Sequence, residues 1–162
     1  MKVKAQIRTI APQDNTAVKT LVLDVLAEHG LVGEGYAGVD PEMDDMFGHY
    51  QDDNCNFYVV EHNERILGVG GYAALAGDST KAELRKMYFK SELRGLGMGH
   101  KLIQTCIDEA QKNGYQGMYL ETTPAMKVAQ SLYQKHGFEF MTERMGATGH
   151  GGCGVFMYRS FV

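Results

Sequence analysis

Two spacings of apolar residues alternate along this chain. Near its start, Val3, Ala5 and Ile7 alternate with polar residues, which is the two-residue period of a half-buried strand. Within residues 98–113, apolar residues recur at every third or fourth position, as on the buried face of a helix. In order, these spacings and the turn residues between them predict a strand at 3–9, helices at 12–30 and 41–50, strands at 56–61, 65–74 and 82–89, a helix at 98–113, a strand at 118–121, a helix at 124–136, and strands at 138–144 and 155–161.

The order of these elements indicates a mixed α+β fold built on one sheet. A short polar turn joins the strands at 56–61 and 65–74, which we expect to pair as an antiparallel hairpin. Gly68, Gly70 and Gly71 lie inside the second of these strands and predict a bulge or the close approach of another backbone. No repeat or low-complexity linker interrupts the 162 residues, so we expect one domain covering residues 1–162.

Composition and charge narrow the class of protein. The formal net charge of −4 argues against a nucleic-acid partner, because such partners require a basic face. No apolar run is long enough to span a bilayer, and the N-terminal residues lead straight into a strand, so we expect neither a membrane anchor nor a signal sequence. The three cysteines are scattered and the six histidines lack metal-ligand spacing. These features favour a cytoplasmic protein without a metal site.

A glycine-rich run between the predicted strand at 82–89 and the helix at 98–113 is the most informative stretch. Gly95, Gly97 and Gly99 occupy alternate positions, so the backbone N–H groups of this loop can close on a bulky ligand. The start of the helix favours an anion there, and the planar guanidinium of Arg94 suits phosphate oxygens. The loop therefore predicts a pyrophosphate-binding site.

Three kinds of phosphate-binding loop could have this composition. A P-loop requires Lys and then Ser or Thr after its last glycine, whereas His100 and Lys101 follow here. A dinucleotide-binding fingerprint requires a glycine where His100 stands, although Glu121 could act as its ribose-binding acid, so this option is weak rather than absent. Arg94, Gly97 and Gly99 match the third pattern, R/Q-x-x-G-x-G/A, which is the coenzyme A loop of the GCN5-related N-acetyltransferases. A glycine-rich turn without a ligand is the plain alternative.

A second motif of the same family follows at the family's spacing. Ala129, Leu132, Tyr133, Gly137 and Phe138 resemble its A-x-x-L-Y-x-x-x-G-F signature. The chain therefore resembles a GCN5-related N-acetyltransferase along nearly its whole length. The resemblance implies a twisted, mostly antiparallel sheet flanked by helices and splayed between its fourth and fifth strands, with acetyl-CoA in the gap.

The resemblance also implies which residues bind the cofactor. The pantetheine arm would pair with the backbone of the fourth strand, at Met87, Tyr88 and Phe89. The pyrophosphate would lie on the glycine-rich loop, made of Arg94, Gly95, Leu96, Gly97, Met98, Gly99 and His100. Met126 stands where related proteins often carry an Asn, which leaves open whether that contact with the cofactor is made.

Acetyl transfer to an amine requires one group that accepts the amine's proton and another that protonates the leaving thiolate. Glu83 is the candidate base and would share a strand face with Arg85, Met87 and Phe89 if no bulge intervenes. Alternatively, Glu83 is an edge residue paired with Arg85 or Lys86, and Glu121 or water is the base.

Tyr133 is the candidate acid that the resemblance implies. A phenol with a pKa of about 10 stays protonated at neutral pH and can donate to a thiolate whose conjugate acid has a pKa of about 8.5. On its position in the helix alone, Tyr133 would be a tyrosine of the core boundary.

Together these features predict an acetyl-CoA-dependent N-acetyltransferase that acts on a primary amine of a small molecule or amino-acid derivative. No cysteine has a recognisable activating partner, so we expect direct transfer in a ternary complex. A protein N-terminus or lysine is the alternative acceptor, and a CoA-binding regulatory module is the alternative of another class. At the level of the fold, a homodimer is possible.

The acceptor is expected to enter beside an acidic segment and a glycine-rich loop near the C-terminus. A lid of carboxylates would attract a cationic amine, although a solvated helix face is the plainer interpretation of such a segment. The residues assigned to acceptor binding are Glu34, Tyr36, Asp44, Asp45, Glu121 and His150.

Overall fold

The computed structural model describes residues 4–31, 33, 40–93, 95–149 and 151–162. The helices and strands are β1 (Gln6–Thr9), α1 (Asn15–Glu28), α2 (Met46–His49), β2 (Asn56–His62), β3 (Arg65–Leu75), β4 (Asp78–Phe89), α3 (Met98–Lys112), β5 (Gly117–Thr122), α4 (Lys127–Lys135), β6 (Glu139–Met141) and β7 (Val155–Ser160). Short 3₁₀ turns cover Pro12–Asp14, Pro41–Asp44 and Ser91–Leu93. Each predicted element has a counterpart in this series.

Seven strands form one sheet in the order β1-β2-β3-β4-β5-β7-β6. Neighbouring strands are antiparallel, except that β4 and β5 are parallel. This topology confirms the predicted α+β fold with a mostly antiparallel sheet. No helix within the described ranges is both long and apolar enough to cross a membrane.

The two faces of the sheet carry separate hydrophobic clusters. Phe57 and Val59 of β2 pack in the cluster that contains α1, whereas Tyr58 and Val60 pack in the cluster that contains α3. This division follows from the alternation of side chains along a strand. The centre of the sheet is therefore buried on both sides, by α1 and α2 on one face and by α3 and α4 on the other.

Two predicted elements differ in extent from the observed ones. The helix predicted at 41–50 is divided at Asp45, whose side chain accepts a hydrogen bond from Gly48 N at 2.9 Å and caps α2. The strand predicted at 138–144 ends at Met141. Beyond it, Arg144 donates to the carbonyl oxygen of Cys153 at 3.0 Å.

Candidate active site

The sheet opens between β4 and β5. Only two positions are paired, Ala82 with Met118 and Glu83 with Tyr119, although β4 continues well beyond them. The predicted splay is therefore confirmed. A cavity of about 60 Å³, which we call the splay cavity, lies in this gap. The polar residues that line it include Glu83, Arg85, Glu121, Thr123, Tyr133 and Cys153.

A β-bulge in β4 contributes to this opening. Arg85 faces Gly71 of β3, but Tyr88 faces Val69, so β4 contains one extra residue between these pairs. Lys86 lies in the bulge with a φ of +51°, a left-handed conformation that is rare for residues other than glycine. Its buried ammonium lies 2.5 Å from carboxylate oxygens of both Asp40 and Glu42. These ion pairs hold the 3₁₀ turn against the bulge.

Because of the bulge, the side chains of β4 do not have the arrangement expected from simple alternation. Ala82 and Leu84 belong to the cluster on the α3 side before the bulge, whereas Met87 and Phe89 pack against that cluster after it. Glu83 and Arg85 therefore do not share a strand face with Met87 and Phe89. The extra residue reverses the alternation, so Glu83 and Arg85 turn toward the 3₁₀ turn at Pro41–Asp44.

A second cavity, the helix groove, runs from the splay cavity to the glycine-rich loop. Its volume is about 520 Å³. It brings together most of the residues expected to bind the cofactor, namely Met87, Tyr88, Phe89, Gly95, Gly97, Met98, Gly99 and His100. Leu96 lies in the same loop and is 47% exposed. Arg94 lies outside the described residues.

Two residues of the loop have backbone conformations that favour glycine. Gly95 and Gly97 have φ values of +79° and +70°, which L-residues with a Cβ rarely adopt. A Cβ atom on either would point into open space rather than into protein. Gly97 directly precedes α3, whose first N–H groups have no intrahelical partner. The loop therefore offers free N–H donors and the positive end of a helix dipole to an anion in the groove.

The three glycines of β3 make room for neighbouring atoms. A Cβ on Gly70 would lie 2.7 Å from the Met87 sulfur, and one on Gly68 would lie 2.5 Å from the Phe89 ring. A Cβ on Gly71 would lie 2.4 Å from the backbone oxygen of Asn56. The predicted bulge is present as well, because Gly68 faces Val60 of β2 whereas Ile66 faces Glu61, which leaves one extra residue in β3. The glycines also make room for two side chains that line the helix groove.

His136, which the motifs did not single out, contacts His100 of the helix groove. Its Nε2 lies 3.0 Å from Nδ1 of His100, so the imidazoles link the end of α4 to the start of α3. Burial, together with His100 and Arg159, lowers the pKa of His136. The pair can share one hydrogen bond when both rings are neutral.

Tyr133 of α4 lines both the splay cavity and the helix groove. Its ring packs against Phe138 in a T-shaped arrangement with centroids 6.0 Å apart. Its hydroxyl has no hydrogen-bond partner among the described residues. Burial, with a smaller effect from Cys106, raises the pKa of the phenol, which therefore stays protonated at neutral pH. The residue presents a proton at the junction of the two cavities.

Glu83 lies across the splay cavity from α4 and is 4% exposed. Its carboxylate accepts a hydrogen bond from Arg85 Nε at 2.7 Å. Arg85 also donates to the carbonyl oxygen of Ala74 at 3.1 Å, which fixes the guanidinium against β3. The pairing expected for an edge glutamate is thus present, but the pair lies inside the site rather than on a solvated edge.

A third cavity, the outer cavity, adjoins the splay cavity and shares no described lining residue with the helix groove. Its volume is about 250 Å³, and it shares Glu83 and Arg85 with the splay cavity. The remaining lining includes Asp40, Glu42, His49 and Thr148. Glu42 also accepts a hydrogen bond from Tyr50 at 3.1 Å. The outer cavity is therefore lined by three carboxylates, which outnumber the two cations among the described residues, Arg85 and Lys86, that pair with them.

The residues expected to bind the acceptor, where the structure describes them, do not line the outer cavity. Asp44 pairs with Lys19 at 2.5 Å, and Asp45 accepts a hydrogen bond from Asn15 at 2.9 Å. Both carboxylates thus tie the 3₁₀ turn and α2 to α1, and neither lines the outer cavity. Glu34, Tyr36 and His150 lie outside the described residues.

Glu121, the alternative candidate base, lies in the splay cavity, where three neighbouring side chains contact its carboxylate. Its carboxylate is 2.9 Å from Arg144 Nε, accepts a hydrogen bond from Tyr119 at 2.7 Å and accepts another from Thr148. These contacts anchor the segment after β6 to β5. They occupy the carboxylate oxygens that a base would need.

The arrangement corresponds to a known class, the acyltransferases with a splayed sheet and a glycine loop at the start of a helix. The sequence profile of the Acetyltransferase (GNAT) family matches residues 24–138. The uncharacterised N-acetyltransferase YjgM of Escherichia coli K12 is 38% identical over 155 residues, which cover 94% of this chain and 93% of that protein.

Solved structures agree on the fold. A GNAT-family acetyltransferase from Staphylococcus aureus Mu50 superposes with a TM-score of 0.82 at 19% identity, covering 98% of this chain and 99% of that one. PaiA N-acetyltransferase from Thermoplasma acidophilum, solved in complex with coenzyme A, superposes with a TM-score of 0.73 at 17% identity and covers 98% of this chain and all of that one. The chain belongs to the GNAT acetyltransferase family. It is an N-acetyltransferase.

Proposed function

We propose that the protein transfers the acetyl group of acetyl-CoA to a primary amine of a small molecule or amino-acid derivative, with both substrates bound at once. One observation carries this proposal. The helix groove and the outer cavity each share residues with the splay cavity but no described residue with each other, so two ligands can enter by separate cavities and meet between Glu83 and Tyr133.

The residues of the helix groove fit coenzyme A. The cradle at Gly95 and Gly97 and the start of α3 suit its pyrophosphate. Val128, 84% exposed on α4, offers apolar surface along the groove that a bound arm would cover. The coenzyme A bound to PaiA N-acetyltransferase supports this choice of ligand by analogy of fold. Acetyl-CoA, when bound, supplies an acetyl group activated as a thioester.

Two side chains are assigned the proton transfers. Glu83 accepts a proton from the acceptor nitrogen, which makes its lone pair available for the new N–C bond. Tyr133 donates its phenolic proton to the sulfur as the C–S bond breaks, and regains a proton from solvent afterwards. The products are the acetylated amine and free coenzyme A. Neither step requires an acetylated enzyme.

A small acceptor is favoured by the size and charge of the outer cavity. A volume of about 250 Å³ admits a compact amine. The three carboxylates of the cavity outnumber the described cations paired with them, Arg85 and Lys86, and the remaining negative charge favours a cationic group near Glu83. A protein N-terminus or a lysine is the alternative acceptor, and a regulatory module that binds CoA without turnover is the alternative of another class.

The acceptor is identified by measuring thiol release from acetyl-CoA in the presence of amines, polyamines, amino acids, aminoglycosides and peptides. We expect release that depends on one class of small primary amine. Activity confined to peptides would move the acceptor to the protein class. Tight binding of acetyl-CoA with no release in any mixture would favour the regulatory module.

Gly97→Ala is expected to weaken CoA binding by at least about tenfold, because its methyl group would enter the groove where the pyrophosphate must approach the backbone. Gly114→Ala is the matched control. Gly114 also has a positive φ, of +83°, and open space at its Cβ, but it lies beyond the far end of α3.

Both variants should lose similar amounts of stability, about 1 kcal/mol, from backbone strain. Thermal melts and calorimetric titration with CoA separate the two effects. Equal CoA affinities for the two variants would show that the loop is not part of the CoA-binding site.

Two further parts of the proposal concern the whole molecule. The three cysteines are free, which is compatible with the reducing, cytoplasmic location that we propose. Light scattering in solution tests the homodimer that the fold allows.

A further inference from the structure

Thr123 carries a buried hydroxyl with no hydrogen-bond partner among the residues that the structure describes. The residue is 5% exposed, and its hydroxyl oxygen is closed off from bulk water. Buried hydroxyl groups in native proteins are nearly always paired, because an unpaired one loses its hydration without compensation. An unpaired hydroxyl on a residue that lines a functional cavity therefore points to a ligand that completes it.

The position of Thr123 is fixed by its backbone. It follows β5 directly, and its carbonyl oxygen accepts hydrogen bonds from Met126 N at 3.0 Å and from Gln130 Nε2 at 2.8 Å. Pro124 further restricts its conformation. The start of α4 thus holds the Thr123 backbone in place, and a rotation about χ1 is enough to turn the hydroxyl toward the splay cavity.

The cavity around Thr123 indicates which part of a ligand it meets. Thr123 lines the splay cavity together with Glu83 and Tyr133, but it does not line the helix groove. A cavity of about 60 Å³ has room for a group of acetyl size and not for an extended arm. Since Thr123 does not line the outer cavity assigned to the acceptor either, the group that meets it is the reacting end of the donor.

We propose that Thr123 Oγ1 donates a hydrogen bond to the thioester carbonyl oxygen of acetyl-CoA. This inference rests on the proposed function, since it takes acetyl-CoA as the ligand. A carbonyl oxygen is an acceptor that a threonine hydroxyl can satisfy. The same bond would strengthen as negative charge develops on that oxygen during transfer, so Thr123 would stabilise the transition state more than the bound substrate.

The test compares CoA, which lacks the thioester carbonyl, with acetyl-CoA by calorimetric titration. Thr123→Val keeps the shape of the side chain and removes the hydroxyl. We expect its affinity for acetyl-CoA to fall by about five- to tenfold, with its affinity for CoA unchanged. Thr123→Ser keeps the hydroxyl and should bind both ligands like the wild type.

The unliganded protein provides a readout that is independent of turnover. Because Thr123→Val removes an unpaired buried hydroxyl, its melting temperature should equal or exceed that of the wild type. Thr105→Val is the control, since the Thr105 hydroxyl donates to the carbonyl of Lys101 at 2.8 Å, away from the splay cavity. That variant should bind both ligands normally.

Three results would overturn the inference. One is unchanged acetyl-CoA affinity in Thr123→Val, and another is an equal loss of affinity for CoA and acetyl-CoA, which would assign the hydroxyl to the pantetheine arm. The third is a clear fall in the melting temperature of the unliganded variant. If the wild type bound neither CoA nor acetyl-CoA, the proposed function itself would fail first.

Discussion

Tyr133→Phe should reduce kcat by about 10²- to 10⁴-fold while leaving the affinity for acetyl-CoA almost unchanged. The substitution keeps the ring and its contact with Phe138 but removes the proton that we assign to the leaving thiolate. Because the hydroxyl has no partner among the described residues, its removal should not destabilise the unliganded protein. A loss confined to kcat is typical of an interaction made mainly in the transition state.

Tyr115→Phe is the matched control for that experiment. Tyr115 is similarly buried, but its hydroxyl donates to the carbonyl oxygen of Asn54 at 2.7 Å, and it lines neither the helix groove nor the splay cavity. Its loss should cost about 1 kcal/mol of stability and leave kcat intact. If Tyr133→Phe turned over within a factor of about two of the wild type, the acid role would be wrong, because that difference is below 0.5 kcal/mol.

Glu83→Gln should also reduce turnover by about 10²- to 10⁴-fold near neutral pH. The amide has the shape of the carboxylate, and its oxygen can still accept the hydrogen bond from Arg85, so the pair should keep its position. It cannot accept a proton from the acceptor amine. The defect should therefore appear in turnover rather than in CoA affinity.

The pH dependence separates a base from a structural residue. An unperturbed alkyl amine loses its own proton near pH 10, where it no longer requires a base. The gap between Glu83→Gln and the wild type should thus narrow as pH rises toward that value. A gap that stays constant with pH would show that Glu83 only supports the structure, and would favour water as the base.

Much of the fold could be predicted because its signals are local. The loop at Gly95 and Gly97 and the position of Tyr133 follow from residues that are close together in the chain. Helix and strand order likewise follows from spacings within each segment. The division of the second helix at Asp45 could also have been predicted from the sequence, since an aspartate three residues before Gly48 can cap a helix.

The geometry of the site depends on partners that are far apart in the chain. The bulge at Lys86 is a relation between β4 and β3, and the ion pair that steadies it joins Lys86 to Asp40. No local pattern distinguishes Asp40 from Asp44, yet one borders the outer cavity and the other binds Lys19. The unpaired hydroxyl of Thr123 likewise becomes visible only when its surroundings are known.

The central claim is direct transfer between two ligands that meet in the splay cavity. It is tested by mixing the protein with isotope-labelled acetyl-CoA in a single turnover and measuring the intact protein mass before and after an acceptor amine is added. We expect an unlabelled protein throughout, with label passing to the amine only when both substrates are present. A labelled protein that forms without the amine, and then delivers its acetyl group to the amine at the rate of turnover, would contradict direct transfer.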